Sequence, residues 1–131
     1  MTVLLDTNIC IALINQTDSA LAQRVLERSS RSVVLCSVVR AELEFGARNS
    51  VRVAENIDRV AAFCRPLRSL AFDDGAAAHY GSIRAQLRRE GRPIGGNDLL
   101  IASIALAHDV PLATKNVDEF RRVPGLRVEA W

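Results

Sequence analysis

Three carboxylates stand beside apolar segments, where isolated charges are uncommon. Asp6 directly follows the apolar run Val3-Leu4-Leu5, and Asp98 begins the most apolar stretch of the chain. Glu42 lies in the predicted helix after a second apolar run. Each also has an ordinary explanation, since Asp6 could cap a turn, Asp98 could favour a helix dipole and Glu42 could be a surface residue. Brought together, three carboxylates would repel one another and lose hydration, a cost that a bound cation removes.

The ligand chemistry narrows the choice of cation and reaction. His79 and His108 are isolated, which disfavours a zinc site or a Ser-His-Asp triad, and all-oxygen ligation favours Mg²⁺ or Mn²⁺. Such an ion commonly serves phosphoryl chemistry. The residues therefore favour a metal-dependent nuclease or phosphodiesterase and leave open a phosphatase, a phosphoacceptor domain or a non-catalytic module. A haloacid-dehalogenase-type phosphatase would need an Asp two residues after Asp6, where Asn8 stands.

The apolar pattern predicts the elements that position these groups. Short apolar runs without alternation are typical of strands buried on both faces of a parallel sheet. Between them lie segments with helical spacing of apolar residues, which predicts a three-layer α/β/α fold with a mainly parallel sheet of about five strands. Ligands gather at the carboxyl edge of such a sheet. The predicted strands are 3–5, 33–36, 67–72, 110–113 and a small last one at 126–128.

Polar residues that can cap helices mark several predicted helix starts. Asp18 or Ser19 is expected to cap a second helix with Leu21, Val25 and Leu26 on one face. Ser37 is expected to cap a helix through Arg48, and Asp73-Asp74 to cap a long amphipathic helix that ends near Gly91. The other predicted helices are 9–14, 54–64, 99–107 and 117–122.

Composition predicts a single intracellular domain over residues 1–131. No apolar stretch approaches the ~20 residues of a membrane span, and polar residues interrupt the N-terminal apolar run, which disfavours a signal peptide. Cys10, Cys36 and Cys64 are widely spaced in apolar segments, which predicts buried, reduced thiols and a cytoplasmic protein. Net charge is only +2, although 16 of the 17 basic residues are Arg. This balance neither requires nor excludes nucleic acid.

Four segments in this order resemble the motifs of PIN-domain ribonucleases, and most closely those of VapC-type toxins of prokaryotic toxin–antitoxin modules. The resemblance covers essentially the full chain. The segments are Leu5-Asp6-Thr7-Asn8, Ser37-Val38-Val39-Arg40-Ala41-Glu42-Leu43, Arg92 to Ala102 with Gly95-Gly96-Asn97-Asp98 at its centre, and Leu112 to Leu126 with Thr114-Lys115-Asn116.

The resemblance implies a five-stranded parallel sheet and a Mg²⁺- or Mn²⁺-dependent endoribonuclease. By position, Asp6, Glu42 and Asp98 match three acidic metal ligands. Many relatives have a fourth acidic residue where this chain has Asn116, so Asn116 is a candidate catalytic residue and Asp118 or Glu119 a candidate substitute. The residues expected to support the pocket are Thr7, Asn8, Ser37, Asn97 and Thr114.

The resemblance also implies partners. These are an RNA substrate, such as the anticodon stem-loop of a tRNA, a homodimeric second copy, and a VapB-type antitoxin that occupies a groove beside the acidic pocket. Helical segments 9–14 and 51–64 have apolar faces that suit such interfaces, although a core would explain them equally well. The candidate RNA-binding residues are Arg84, Arg88, Arg89 and Arg92, with Arg48 and Arg52 as a second set.

Overall fold

The sheet has five strands, all parallel. A computed structural model describes residues 1–131, and the strand order is β3-β2-β1-β4-β5. The order reverses between β1 and β4, so these neighbouring strands form the switch point at which ligands collect in open α/β sheets. The strands are β1 (Val3–Leu5), β2 (Val33–Cys36), β3 (Arg68–Leu70), β4 (Leu112–Thr114) and β5 (Val128–Ala130).

The central strands are buried because their side chains are apolar on both faces. Every residue of β1, β2 and β4 is buried, although successive side chains point to opposite sides of the sheet. Helices must therefore cover both faces, as the predicted three-layer fold requires. The helices are α1 (Thr7–Asn15), α2 (Ser19–Leu26), α3 (Ser37–Arg48), α4 (Val53–Cys64), α5 (Asp74–Arg89), α6 (Gly96–Ala107) and α7 (Val117–Phe120), with one 3₁₀ turn at Ser30–Ser32.

Helix α6 carries the most apolar sequence and is the most deeply buried helix. Its buried positions extend from Leu99 to Ala105 with one interruption, and Ser103 is accommodated because its hydroxyl donates to the Leu99 carbonyl oxygen at 2.7 Å. The three cysteines are free and buried, as predicted. Burial raises the pKa of the Cys36 thiol to about 11, which keeps it protonated near neutral pH. None of the helices combines the length and apolarity needed to cross a bilayer.

Three local predictions were wrong. Leu26 is 77% exposed, because α2 ends at this residue and only its earlier apolar positions reach the core. Ser37 does not cap α3. It is the first residue of that helix, and its hydroxyl instead accepts a hydrogen bond from the Phe72 amide at 3.3 Å. The last strand lies two residues later than predicted, because pairing of Leu112 with Val128 sets its register.

Candidate functional site

Hydrogen bonds to α1 and to β4 hold Asp6 at the carboxyl end of β1. Its side chain accepts from the Thr7 amide at 2.8 Å through Oδ1 and from the Thr114 hydroxyl at 2.7 Å through Oδ2. Its own amide donates to the Ala113 carbonyl oxygen of β4 at 3.0 Å. Only 5% of Asp6 is exposed, and burial raises its pKa against the opposing effect of these hydrogen bonds. The capping interpretation is therefore correct, and the residue is nevertheless buried beside other carboxylates.

Thr7 connects this aspartate to Glu42. Its amide binds Asp6, and its hydroxyl donates to Glu42 Oε1 at 2.7 Å. Glu42 lies on α3, which begins directly after β2, so the β1–α1 and β2–α3 junctions bring the two acids to the same sheet edge. We call Asp6, Thr7, Glu42 and Thr114 the Asp6 half of the site.

Asp98 lies in the first turn of α6 and faces the same acids. Burial, followed by the charges of Asp6, Glu119 and Glu42, raises the pKa of Asp98 to about 7. A carboxyl with such a pKa is protonated in part near neutral pH, and the protonated form donates a hydrogen bond to Glu119. The three predicted acids therefore interact electrostatically, together with a fourth.

The fourth carboxylate is Glu119 on α7. Its Oε1 accepts from the Gly95 amide at 2.8 Å, and its Oε2 accepts from the Asn116 side-chain amide at 2.6 Å. The Gly95 hydrogen bond is the principal cause of a lowered Glu119 pKa. We call Gly95, Asp98, Asn116 and Glu119 the Asp98 half.

Asn116 joins the two halves. Its backbone amide donates to the Thr114 hydroxyl at 2.9 Å, and that hydroxyl donates to Asp6. Its side chain binds Glu119. Asn116 therefore orients a carboxylate, whereas Asp118 is exposed and makes no side-chain hydrogen bond or ion pair that would bring it to the site.

The remaining predicted support residues line an open groove next to the Asp6 half. Its volume is about 630 Å³, and Asn8, Ser37 and Asn97 contribute polar groups beside Thr7 and Glu42. We call this the polar groove. The full lining is Thr7, Asn8, Ile11, Ser37, Val38, Ala41, Glu42, Phe45, Asn97 and Leu100.

The donor set suits a hard divalent cation. The converging groups are carboxylates. Burial, together with their mutual repulsion, raises the Asp98 pKa, so a bound cation would relieve an existing cost. However, no three acidic, histidine or cysteine side chains are already grouped closely enough to hold an ion. The chemistry of the residues fits Mg²⁺ or Mn²⁺, and the carboxylates would have to close further around it.

The predicted RNA-binding arginines differ in what they contact. Arg84 donates to the Tyr80 hydroxyl at 2.9 Å and lies over that ring, whereas Arg88, Arg89 and Arg92 have no carboxylate partner. In the second set, Arg48 pairs with Glu44 at 3.7 Å and Arg52 with Glu55 at 3.5 Å, both on the exposed surface.

Sequence reasoning missed two features of the site. One is the Gly95 amide, whose bond to Glu119 spans 24 residues and leaves no local pattern. The other is Arg122, which donates to the Pro93 carbonyl oxygen at 3.0 Å and whose charge helps to lower the Glu119 pKa. Only the glycine pair before Asn97 hinted at a close backbone approach.

The fold and the acidic edge of the sheet define a class of protein. The family model of the PIN domain matches residues 3–126, which is most of the chain. The chain therefore belongs to the PIN-domain family.

Two relatives match this chain over nearly their full length. Ribonuclease VapC2 of Rickettsia felis is 37% identical over 132 residues, covering 100% of this chain and 98% of that protein. The tRNA(fMet)-specific endonuclease VapC of Salmonella typhimurium is 38% identical over 128 residues, covering 98% and 96%.

Solved structures of relatives have the same fold. In VapBC2 from Rickettsia felis bound to a DNA fragment from their promoter, one chain is 35% identical with a TM-score of 0.91, covering 100% of this chain and 99% of that one. In DNA-bound VapBC from Salmonella typhimurium, one chain is 36% identical with a TM-score of 0.92. The match covers 98% of this chain and 97% of that one. The predicted resemblance and the five-stranded parallel fold are thus confirmed.

Proposed function

We propose that the chain is a Mg²⁺- or Mn²⁺-dependent endoribonuclease and the toxin of a type II toxin–antitoxin module. The observation that carries this proposal is the convergence of Asp6, Glu42, Asp98 and Glu119 at the switch point of the sheet. The names of the full-length relatives, a ribonuclease and a tRNA-specific endonuclease, support the substrate class.

In this proposal the four acidic residues have different roles. Asp6, Glu42 and Asp98 would hold the cation, and the hydroxyls of Thr114 and Thr7 each fix one carboxylate oxygen, that of Asp6 and of Glu42 respectively. Glu119 provides additional negative charge, directed by Gly95 and Asn116. A bound divalent cation supplies positive charge for activating water and stabilising the phosphate during transfer.

The reaction is hydrolysis of an RNA phosphodiester. The oxygen of water forms a bond to phosphorus, and the bond from phosphorus to the 3′-oxygen breaks. Water gives up a proton as it attacks and the leaving 3′-oxygen takes up a proton, so the products are a 5′-phosphate and a 3′-hydroxyl. No histidine is needed for this route, and His108 contacts the Ala71 carbonyl oxygen and Asp73, which are not site residues.

Unpaired arginines provide the proposed contacts to the RNA backbone. Arg88 and Arg89 end α5, and Arg92 follows in the segment that leads to Asp98. Each phosphate contact releases counterions, so binding should weaken steeply with salt. Replacing Arg88 and Arg89 together by Gln is expected to flatten the salt dependence of RNA binding by about two phosphate contacts. An unchanged slope would contradict this assignment.

An apolar groove adjoins the acidic site and is the proposed seat of a VapB-type antitoxin segment. Its volume is about 270 Å³, and it lies between α1, α3 and α4. It also includes Glu42, so an occupant could reach the acids. The relatives' VapBC complexes support an antitoxin partner. The groove is lined by Ile11, Ile14, Asn15, Glu42, Leu43, Gly46, Ala47, Ser50, Asn56 and Val60.

We further propose that the protein acts in the cytoplasm as a homodimer and that a tRNA is its substrate. The name of the Salmonella typhimurium relative supports the tRNA substrate. Sedimentation of the isolated chain tests dimerisation. Mapping of RNA 5′ ends after brief expression tests the target, and cleavage confined to RNAs other than tRNA would contradict it.

The central test is cleavage of a mixed RNA pool by Asp6→Asn. Loss of a charged ligand is expected to reduce the rate at least about 100-fold with Mg²⁺ or Mn²⁺, and EDTA should abolish wild-type cleavage. Asp109→Asn is the matched control, because the Asp109 side chain is 96% exposed and contacts only Arg127. Undiminished cleavage by Asp6→Asn, or full wild-type activity in EDTA, would overturn the proposed function.

A further inference from the structure

Phe45 is the one aromatic residue of this chain whose side chain is largely exposed. The chain contains four Phe, one Tyr and one Trp. Phe120 is fully buried, and Phe63 packs against the core. Phe72 and Tyr80 meet edge to face, and the Trp131 ring is covered by two arginines. Phe45 alone is left 69% exposed.

The position of Phe45 on α3 places its ring beside the candidate active site. Residues three apart lie on the same face of a helix, so Phe45 follows Glu42 by one turn. Both side chains line the polar groove, together with Val38 and Ala41 from the same helix. The opposite face of α3, with Val39, Leu43 and Ala47, is buried. The core therefore fixes α3 and presents Phe45 to the groove.

The groove has the mixed lining that a nucleotide requires. Asn8, Ser37 and Asn97 offer amide and hydroxyl groups, and Phe45 offers an exposed aromatic face. Proteins that recognise single-stranded RNA commonly stack unpaired bases on aromatic rings and form hydrogen bonds to the edges of those bases. Because Glu42 and Thr7 line this groove, a nucleotide next to a phosphate at the acids would be within reach of it.

We propose that Phe45 is the stacking platform for an unpaired base next to the scissile phosphate. This inference rests on the proposed ribonuclease function and adds a binding residue for its substrate. The occupant is a single-stranded segment of RNA, since a base paired within a helix cannot present its face to the ring. The apolar groove between α1, α3 and α4 adjoins the polar groove and shares Ile11 and Glu42 with it, but Phe45 does not line the apolar groove.

The test compares Phe45→Ala, Phe45→Leu and Phe45→Trp. Binding is measured in an Asp6→Asn background with a fluorescein-labelled single-stranded RNA of about 12 nucleotides, within the usual range of site sizes. Phe45→Ala is expected to weaken binding about tenfold, or about 1.4 kcal/mol, and Phe45→Trp to retain it. Phe45→Leu keeps an apolar side chain without an aromatic face and should lose most of the same affinity.

Cleavage kinetics in the otherwise unmodified chain provide the second measurement. Phe45→Ala is expected to raise KM about tenfold for single-stranded RNA with a much smaller change in kcat. Leu26→Ala is the control for losing an exposed apolar side chain, since Leu26 lies at the end of α2 and outside both grooves. It should change neither value. Thermal unfolding midpoints of all variants check that the fold is retained.

The outcomes separate this inference from the function on which it rests. A wild-type chain that cleaves no RNA overturns the proposed function itself. Wild-type cleavage with unchanged binding and KM in Phe45→Ala overturns only the stacking role, as does full affinity in Phe45→Leu. Loss of antitoxin inhibition in Phe45→Ala with unchanged RNA binding would assign the ring to the protein partner and would likewise overturn the inference.

Discussion

The two halves of the acidic site are built by different means. In the Asp6 half, hydroxyl donors at 2.7 Å fix both acids, and Asp6 also binds backbone groups at the ends of β1 and β4. In the Asp98 half, two carboxyls face each other, and one has its pKa raised to about 7. The first half is therefore organised by the fold, whereas the second carries most of the electrostatic cost that a cation would remove.

Removal of a hydroxyl donor in the Asp6 half is expected to have the largest effect among changes outside the carboxylates. Thr114→Val leaves a buried Asp6 oxygen without its partner, which should lower the free energy of unfolding by about 1–3 kcal/mol. It should also weaken Mn²⁺ binding about 10–100-fold, as for other residues that orient metal ligands. Urea unfolding and calorimetric titration measure the two effects.

Thr114→Ser is the matched control for this change, because it keeps the hydroxyl and removes only a methyl group. It should retain most of the metal affinity. Wild-type metal affinity in Thr114→Val together with a loss in Thr114→Ser would mean that packing of the buried methyl group, and not the bond to Asp6, fixes this half.

Substitution of Asn116 should weaken metal binding mainly through the Asp98 half and should leave the Asp6 half largely unchanged. Asn116→Ala removes the donor to Glu119 Oε2 but keeps the backbone amide that binds Thr114. We expect about a tenfold loss of Mn²⁺ affinity, less than for Thr114→Val, because Asn116 is exposed and Gly95 still holds Glu119.

Asn116→Asp tests whether position 116 binds the metal directly or acts through Glu119. It places an acidic residue where the family resemblance implies one, but it removes the amide donor and adds charge beside Glu119. We expect no gain of affinity over the wild-type chain. Tighter Mn²⁺ binding by Asn116→Asp would show that position 116 contributes a ligand directly, and not through Glu119.

The pH dependence of stability without metal should reflect the raised pKa of Asp98, with a contribution of the same sign from Asp6, whose pKa is also raised. The ordinary pKa of an aspartate side chain is 3.8, whereas the pKa of Asp98 in the folded chain is about 7. Because folding favours its protonated form, this group destabilises the metal-free fold progressively as pH rises from about 4 to 7. The lowered pKa of Glu119 acts in the opposite direction, but only below the ordinary glutamate pKa of 4.5.

Urea unfolding without metal at several pH values between about 5 and 7.5 measures this effect. Asp98→Asn keeps the shape of the side chain and removes its titration, so the difference between wild type and variant isolates it. The wild-type chain should lose stability relative to Asp98→Asn as pH rises. Parallel pH profiles would contradict the repulsion inferred for this half.

The difference between the Asp6 half and the Asp98 half also explains how much of the site could be predicted from the sequence. Asp6, Glu42 and Asp98 could be identified because each stands beside an apolar element whose type and edge follow from the hydrophobic pattern. The alternation of strands and helices then brought them to one sheet edge. Thr114 was expected at the rim of the pocket, and its bond to Asp6 follows from the pairing of β1 with β4.

The Asp98 half could not be completed from the sequence. The choice between Asp118 and Glu119 depends on which side of a one-turn helix faces Gly95, and four residues are too few to establish a periodic pattern. The role of Asn116 likewise depends on a bond to Glu119 within that turn. Ser37 suited a helix cap, and only the packing of the segment after β3 shows that its hydroxyl binds Phe72.

Calorimetric titration of the isolated chain with Mn²⁺ tests the central claim most directly, namely that both halves together form one divalent-cation site. We predict saturable binding by the wild-type chain and by Asp109→Asn, weaker binding by Glu119→Gln, and none measurable by Asp6→Asn. Binding by Asp6→Asn with wild-type affinity, or no binding by the wild-type chain, would contradict this claim.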